Sequence, residues 1–462
     1  MTERLVVVGG DAAGMSAATN ARRGRGPDEL AIVAFERGTT PSYSACGIPY
    51  WIGGVVADRE RLVVRTPAEF AEKHDIEVRV RHEVIDIDCH RGDLTVRDLE
   101  TGAEREEPFD QLVIATGAVP RRPELRGADA EGILGVQTLD DGEAIRLELE
   151  RKPTNVVVVG AGYIGLEMAE ALTLRGFEVT LLERSPQPMP TLDPDMGALV
   201  SDALRKVGVT VECGVEVRGF DVSGRRVSAI ETANASYPAD LVILGLGVTP
   251  NVGLARDAGV AIGPSGGIAT DGRMRTDVEN VWAAGDCVES HHRVSHRPVS
   301  IALGTHANKQ GRVAGINIGG GYATFPGVIG TAVTKVCSAE VARTGLSERE
   351  AADAGFVTVS AVIDSRTRAG YYPGSTPLKV KAIAERSTGR LLGAQIVGEE
   401  GVAKRIDVFA TAIWNEMTAE EMLNLDLSYA PPVAPTWDPV LVAAKKVAEK
   451  VESDRGPVAS AP

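Results

Sequence analysis

The chain has 462 residues, 44% hydrophobic and 24% charged, a balance that suits a multidomain globular protein and excludes a small stapled module or a disordered chain. Acidic residues outnumber basic ones 64 to 49, for a formal charge of -15, which argues against a general nucleic-acid-binding surface. No apolar run approaches the 18 residues of a membrane span, and the first residues lack the basic flank and cleavage pattern of a secretory signal.

From the N-terminus, LVVVGGDAAGMSAATNARR reads as a β-branched strand, a glycine turn and an Ala-rich helix from about Ala13. That order sets backbone N–H groups and a helix start against a diphosphate. Gly9 and Gly14 take the outer places of G-x-G-x-x-G, but Asp11 takes the middle one, with Gly10 a place earlier. The next strand, LAIVAFE, ends at Glu36, beside Arg37, where a carboxylate can accept from an adenosine ribose. A bare strand-to-helix turn is the alternative this first pattern leaves.

The loop TTPSYSACGIPYWIGG follows, and Gly47 and Pro49 suit the start of a helix just after Cys46. A thiol at a helix start is favoured as thiolate. Taken alone, the pattern fits a reactive and a structural thiol equally; the loop's return toward a bound dinucleotide favours the reactive one. Cys89 and Cys337 sit in strand-like patterns, Cys213 follows VTVE, and Cys287 begins a helix behind Asp286. These four read as structural, and five scattered cysteines without a CxxC pair fit a reducing cytoplasm.

Further along, FDQLVIATGAVPRRP is a strand entering a turn at Ala115, Thr116 and Gly117. The dinucleotide grammar then returns whole in NVVVVGAGYIGLEMAEALTLRGFEVTLLE: Gly160, Gly162 and Gly165, with Tyr163 and Ile164 between them, and Glu183 at the next strand end. A carboxylate there favours a free ribose 2′-OH, hence NAD over NADP, with the adjacent Arg184 pulling the other way. YPADLVILGLGVTPN repeats the strand-turn at Gly245 and Gly247, and NVWAAGDCVES places Gly285 and Asp286 at a strand end, with a helix expected behind them. Asp286 reads either as a ligand of a polyol hydroxyl or as an ordinary helix cap. Two fingerprints imply two dinucleotides, a hydride donor and a bound acceptor.

These turns divide the chain. The fold class is α/β: residues 1–120 and 246–325 form one dinucleotide domain, interrupted by a second at 121–245. Residues 326–445 alternate as strands with one wet face and a crossing helix, an α+β domain, and 446–462 read as a flexible tail. His291, His292, His296 and His306 lack a completing carboxylate set, so no metal is expected.

The motifs VVVGGDAAGMSAA, YSACGIPYWIGG, ATGAVP, GAGYIGLEMAE, AAGDCVE and THANKQGRVAGINI occur in order over residues 1 to about 445. Together they resemble the pyridine nucleotide-disulfide oxidoreductase family, in particular its single-cysteine branch of coenzyme A-disulfide reductases, NADH oxidases and NADH peroxidases. The resemblance implies FAD in the first domain, NADH or NADPH in the second, and a homodimer through the third. Ala12 stands where peroxidases and oxidases of the family carry a peroxide-handling histidine. Tyr371 in RAGYYPG and Tyr429 in SYAPP match the two tyrosines that the reductases supply from the partner subunit. By the same resemblance Ser42, Asn308 and Gln310 contact flavin or the pantetheine arm, and Arg22 and Arg23 the coenzyme A phosphates. Ala45 departs from the asparagine common before the reductases' active cysteine.

The expected enzyme is thus an FAD-dependent NAD(P)H:disulfide oxidoreductase, foremost a cytoplasmic coenzyme A-disulfide reductase working through Cys46. The alternatives are a coenzyme A persulfide or polysulfide reductase, an NADH oxidase or peroxidase, and a flavin electron-transfer protein reducing a small redox partner.

Overall fold

Two all-parallel sheets and one antiparallel sheet organise residues 2–455, the residues described in the computed structural model. The first sheet opens with β1 (Glu3–Val8), β2 (Leu30–Glu36), β3 (Ile76–Val80) and β4 (Gln111–Ile114). The second contains β5 (Ile133–Gly135), β6 (Val156–Val159), β7 (Val179–Glu183), β8 (Thr210–Cys213) and β9 (Leu241–Leu244). β10 (Val281–Ala283) then returns to the first sheet, giving the order β10-β4-β1-β2-β3, while the second runs β8-β7-β6-β9-β5. Each sheet has its glycine-fingerprint strand at the centre, covered on both faces, which is why β1 and β6 are nearly continuous apolar runs.

Helix α1 (Asp11–Gly24) follows β1, a short α2 (Ile48–Ile52) follows the cysteine loop, and α3 (Tyr163–Leu174) follows β6. After β7 the chain enters α4 (Pro194–Lys206), and after β10 it reaches α5 (Gly304–Ile318). α1 and α5 press together backbone to backbone: a Cβ on Gly311 would stand 2.2 Å from the Ala13 carbonyl oxygen, and one on Gly315 2.3 Å from that of Ala17.

The third sheet, antiparallel, has the order β11-β12-β15-β14-β13. Its strands are β11 (Ala332–Val336), β12 (Ala339–Gly345), β13 (Thr358–Arg366), β14 (Pro377–Glu385) and β15 (Leu391–Gly398). α6 (Glu348–Asp353), α7 (Val402–Trp414) and α8 (Pro439–Arg455) complete this unit. The architecture is the one expected, two nucleotide folds plus an α+β unit.

Several local expectations are corrected. Residues 446–455 are not tail but the second half of α8, with Val447 and Val451 buried in the core; residues 456–462 lie outside the described residues. No helix starts at Asp286 and Cys287: they form a turn that returns through Val288 to pair with Ile268. Cys89 and Cys337 lie in turns at strand ends, not within strands. No helix among the described residues is long and apolar enough to cross a membrane.

Candidate functional site

Each fingerprint turn is built the same way. A Cβ on Gly9 would strike the Ala115 carbonyl oxygen at 2.3 Å, and one on Gly160 that of Gly245 at 2.4 Å. Both glycines have a positive φ, +96° and +97°, so a side chain is excluded by backbone conformation and by space. Gly14 and Gly165 lie against the carbonyls of Gly9 and Gly160, at 2.0 and 1.9 Å from where a Cβ would be. Gly162 faces open space instead, leaving the turn's outer side free for a diphosphate.

The two acidic strand ends are equally alike. Glu36 accepts the Gly10 N–H at 2.8 Å and the Gly38 N–H at 2.6 Å. Glu183 accepts the Ala161 and Ser185 N–H groups, each at 2.7 Å. Every carboxylate oxygen keeps a free lone pair for a ribose hydroxyl. Beside Glu36 and the exposed Arg37 a cleft of about 410 Å³ runs past Thr39, Val119, Arg121 and Gln137, as an adenosine half would need. The turn after β4 is braced by Thr116, whose hydroxyl donates to the Asn251 carbonyl at 2.6 Å, and by Gly117, whose carbonyl accepts the Asn251 N–H at 2.9 Å. In the second unit the Tyr163 and Thr191 hydroxyls are buried side by side next to the fingerprint, with no further hydrogen-bond partner for either. The residues present fit a dinucleotide in each unit.

Asp286 and Asp11 lie near Glu36 and the first of these turns. Burial pushes both carboxyls up to about 6; for Asp11 the Tyr43 N–H opposes the rise, and the Glu36 and Asp286 charges add to it. The Asp286 turn is held by Gln310, which is 2% exposed: its Oε1 accepts the Gly285 N–H at 2.8 Å and its Nε2 donates to Ser290 Oγ at 2.9 Å. Gln310 is therefore not free to contact substrate, contrary to expectation. Arg22 is likewise committed, donating to the carbonyls of His74, Leu30 and Asp75 at 2.9, 2.7 and 3.0 Å, which ties α1 to β2 and to the residues leading into β3. Arg23 and Asn308 remain exposed, and Ser42 is half-buried in the loop leading to Cys46.

Cys46 sits in a single 3-10 turn, Ala45–Gly47, ahead of α2. The thiol is open to solvent, yet the protein around it raises its pKa above the ordinary value by burial first, and then by the Glu167, Asp11 and Asp286 carboxylates. The expected thiolate-favouring helix start is outweighed, because α2 has only five residues and three acidic groups lie near. Glu167 projects from α3 one turn beyond Tyr163 and accepts from the Thr334 hydroxyl at 2.8 Å; burial raises its own pKa. Tyr50, on α2, feels Glu167, Glu170 and Cys46 together, after burial. The structure thus brings Cys46 of the first unit to the fingerprint helix of the second.

Glu167 and Asp11, whose carboxylates stand near Cys46, were not among the candidate site residues read from the sequence. The signal for Glu167 was its i+4 spacing from Tyr163, which puts both on one face of α3. Asp11 showed itself only as a break in the fingerprint. Tyr371 and Tyr429 are 78% and 48% exposed. They neighbour each other, the Tyr371 phenol being raised by its surroundings and then by Tyr429. The Ala369 N–H bonded to the Pro431 carbonyl at 3.3 Å joins their loops.

Comparison with known proteins adds the following. The family profile of the pyridine nucleotide-disulphide oxidoreductases matches residues 3–311, and that of the same family's dimerisation domain matches residues 331–439. An NAD(P)H coenzyme A polysulfide/persulfide reductase of Pyrococcus horikoshii is 39% identical over 449 residues, 96% of this chain and 98% of its own. A coenzyme A disulfide reductase of Staphylococcus epidermidis is 31% identical over 431 residues, 93% and 96% of the two chains. The solved structure of an NAD-dependent persulfide reductase from A. fulgidus superposes with a TM-score of 0.94 at 40% identity, covering 97% of this chain and 84% of that one.

Proposed function

This chain belongs to the pyridine nucleotide-disulphide oxidoreductase family, an FAD-dependent NAD(P)H:disulfide oxidoreductase, and from that premise we propose that it reduces a coenzyme A persulfide or polysulfide through Cys46. The observation that carries this reading is a solvent-open cysteine between the two dinucleotide turns, with no second cysteine at short spacing to close an internal disulfide. The persulfide takes precedence over coenzyme A disulfide, the acceptor foremost from the sequence. Likeness to the persulfide reductases stands at 39–40% against 31% for the disulfide reductase, and Ala45 replaces the asparagine usual in the latter.

Gly9, Gly14 and Glu36 would hold FAD, which when bound would supply a hydride acceptor and a two-electron reductant for sulfur. Glu183 holds the donor's ribose and favours NADH. The Cys46 thiolate attacks the inner sulfur of CoA–S–SH, forming Cys46–S–S–CoA and releasing hydrosulfide. Two-electron reduction of that mixed disulfide, at the expense of NADH, would restore the Cys46 thiolate and release coenzyme A. The net reaction is CoA–S–SH + NADH + H⁺ → CoA–SH + H₂S + NAD⁺. Tyr371 and Tyr429 of a partner subunit donate hydrogen bonds to the departing coenzyme A thiolate, in a homodimer formed through the matched dimerisation unit. Arg23, Ser42 and Asn308 line the substrate's approach.

Stopped-flow reduction by NADH or NADPH, followed by oxidation with coenzyme A persulfide, coenzyme A disulfide, oxygen or peroxide, tests the scheme. The Cys46→Ser enzyme is expected to retain FAD and its reduction by NADH while losing persulfide turnover. Wild-type-like persulfide turnover in that variant, or faster reoxidation by oxygen than by any sulfur acceptor, overturns the proposal; a larger kcat/KM for NADPH overturns the donor preference alone.

A further inference from the structure

Lys381 on β14 is 3% exposed, and its ammonium meets three carboxylates: Asp193 at 3.1 Å, Asp195 at 3.0 Å and Glu348 at 2.9 Å. Asp193 ends the segment between β7 and α4, and it is itself buried. Gln395 of β15, 2% exposed, brackets the same residue, accepting the Asp193 N–H at 2.9 Å and donating to Asp193 Oδ2 at 2.7 Å. The Glu348 N–H donates to the other carboxylate oxygen at 3.1 Å. One turn of chain earlier, Arg343 of β12 donates to the Thr191 carbonyl at 2.6 Å while paired with Glu350. Residues 191–195 are thus fastened along one edge to the third sheet.

The segment's other end is fastened to the second fingerprint. The Met189 N–H donates to the Ala161 carbonyl at 2.9 Å, and Ala161 is the residue between Gly160 and Gly162 whose N–H Glu183 holds. The Thr191 side chain lies beside the buried Tyr163 hydroxyl. A strap of seven residues, 189–195, therefore links the glycine turn of the second unit to the buried face of the third sheet.

We propose that this strap sets the geometry of the NAD(P)H turn, and that Lys381, far along the chain from the fingerprint, is its positioning residue. The inference rests on reading the Gly160 turn as the NAD(P)H site. A lone buried ammonium facing three carboxylates is a poor device for stability, since apolar packing does as well. It is a good device for fixing one register of a connecting segment, because any slip strands a charge. Without the Lys381 ammonium the Asp193 charge is left buried and unpaired, which weakens the hold of Gln395 and the Glu348 N–H on it, and the Met189 bond to Ala161 and the packing of Thr191 on Tyr163 loosen with it. Binding and orientation of the hydride donor suffer, whereas Cys46, on the first unit, does not.

The FAD-loaded Lys381→Met protein tests this by two readouts. NAD⁺ is titrated while amide hydrogen exchange is followed at residues 161–163 and 189–193, and each half-reaction is timed separately. The expected result is a tenfold or greater rise in the Kd for NAD⁺, faster exchange at both segments and slower flavin reduction by NADH, with dithionite-reduced enzyme reoxidised by coenzyme A persulfide at the wild-type rate. Wild-type affinity and exchange in a folded variant overturn the inference, as do equal losses in both half-reactions, which mean general loosening. Should Lys381→Met not fold, Gln395→Met, which removes two bonds to Asp193 without stranding a charge, decides by the same measures in the same direction. If NAD⁺ fails to protect residues 161–163 in the wild-type protein, the reading of the turn falls and the inference with it; protection there without an effect of the variants removes the inference alone.

Discussion

Cys46 shows how a residue's chemistry is set by neighbours that sequence distance hides. Its pKa is raised by burial and by Glu167, Asp11 and Asp286, residues from three separate segments. A raised thiol pKa means less thiolate at neutral pH, so alkylation of Cys46 should accelerate with pH through a midpoint above the ordinary thiol value. Replacing Glu167 with Gln removes the strongest of these charges and should lower that midpoint, raising the alkylation rate near pH 7 by roughly two- to tenfold. An iodoacetamide rate–pH profile of both proteins checks it, and an unmoved midpoint would mean that the Glu167 charge does not reach the thiol. The fingerprint glycines and acidic strand ends were legible because backbone geometry admits few residues there. Gln310 and Arg22 were misread because a polar side chain near a cofactor turn serves structure or ligand equally well in sequence, and only its committed partners distinguish the two.

At the scale of elements, helices and strands announced themselves where apolar spacing was strong, as in β1, β6 and α7. α8 was cut short because the composition of its second half, VAEKVESDR, is mostly charged, although Val440, Val447 and Val451 recur at helical spacing and are all buried. The Asp286 turn was misread for the opposite reason: a small, polar run after a strand resembles a helix start, but Gln310 from α5 holds it as a turn. The packing of α1 on α5 gives a sharper test. Gly311→Ala places a methyl 2.2 Å from the Ala13 carbonyl oxygen, a backbone atom that cannot swing aside. The helices must separate, at a cost of about 1–3 kcal/mol, and the diphosphate turn that begins α1 must move with them. Thermal unfolding should show the loss, and FAD should dissociate faster; an unchanged off-rate would mean that the turn is held independently of α5.

For the whole molecule, the proposed function has the exposed tyrosine pair serve Cys46 of a partner chain. Mixing Cys46→Ser subunits with Tyr371→Phe/Tyr429→Phe subunits should create heterodimers with one doubly damaged and one intact site, so activity returns from two inactive parents. Confirmed heterodimers without recovery would mean that each chain's tyrosines serve its own cysteine or none. The return of β10 to the first sheet has a consequence for how the protein is made. β4 ends at Ile114, but its neighbour β10 begins only at Val281, and α5, which closes on α1, ends at Ile318. On a ribosome adding roughly 5–20 residues per second, the first unit waits on the order of ten seconds or longer for its edge strand and covering helix. The second unit, whose strands fall between Ile133 and Leu244, has by then been synthesised in full. The nascent chain therefore acquires its donor-binding half before its flavin-binding half, and the edge of β4 stays open for an unrelated strand throughout that interval.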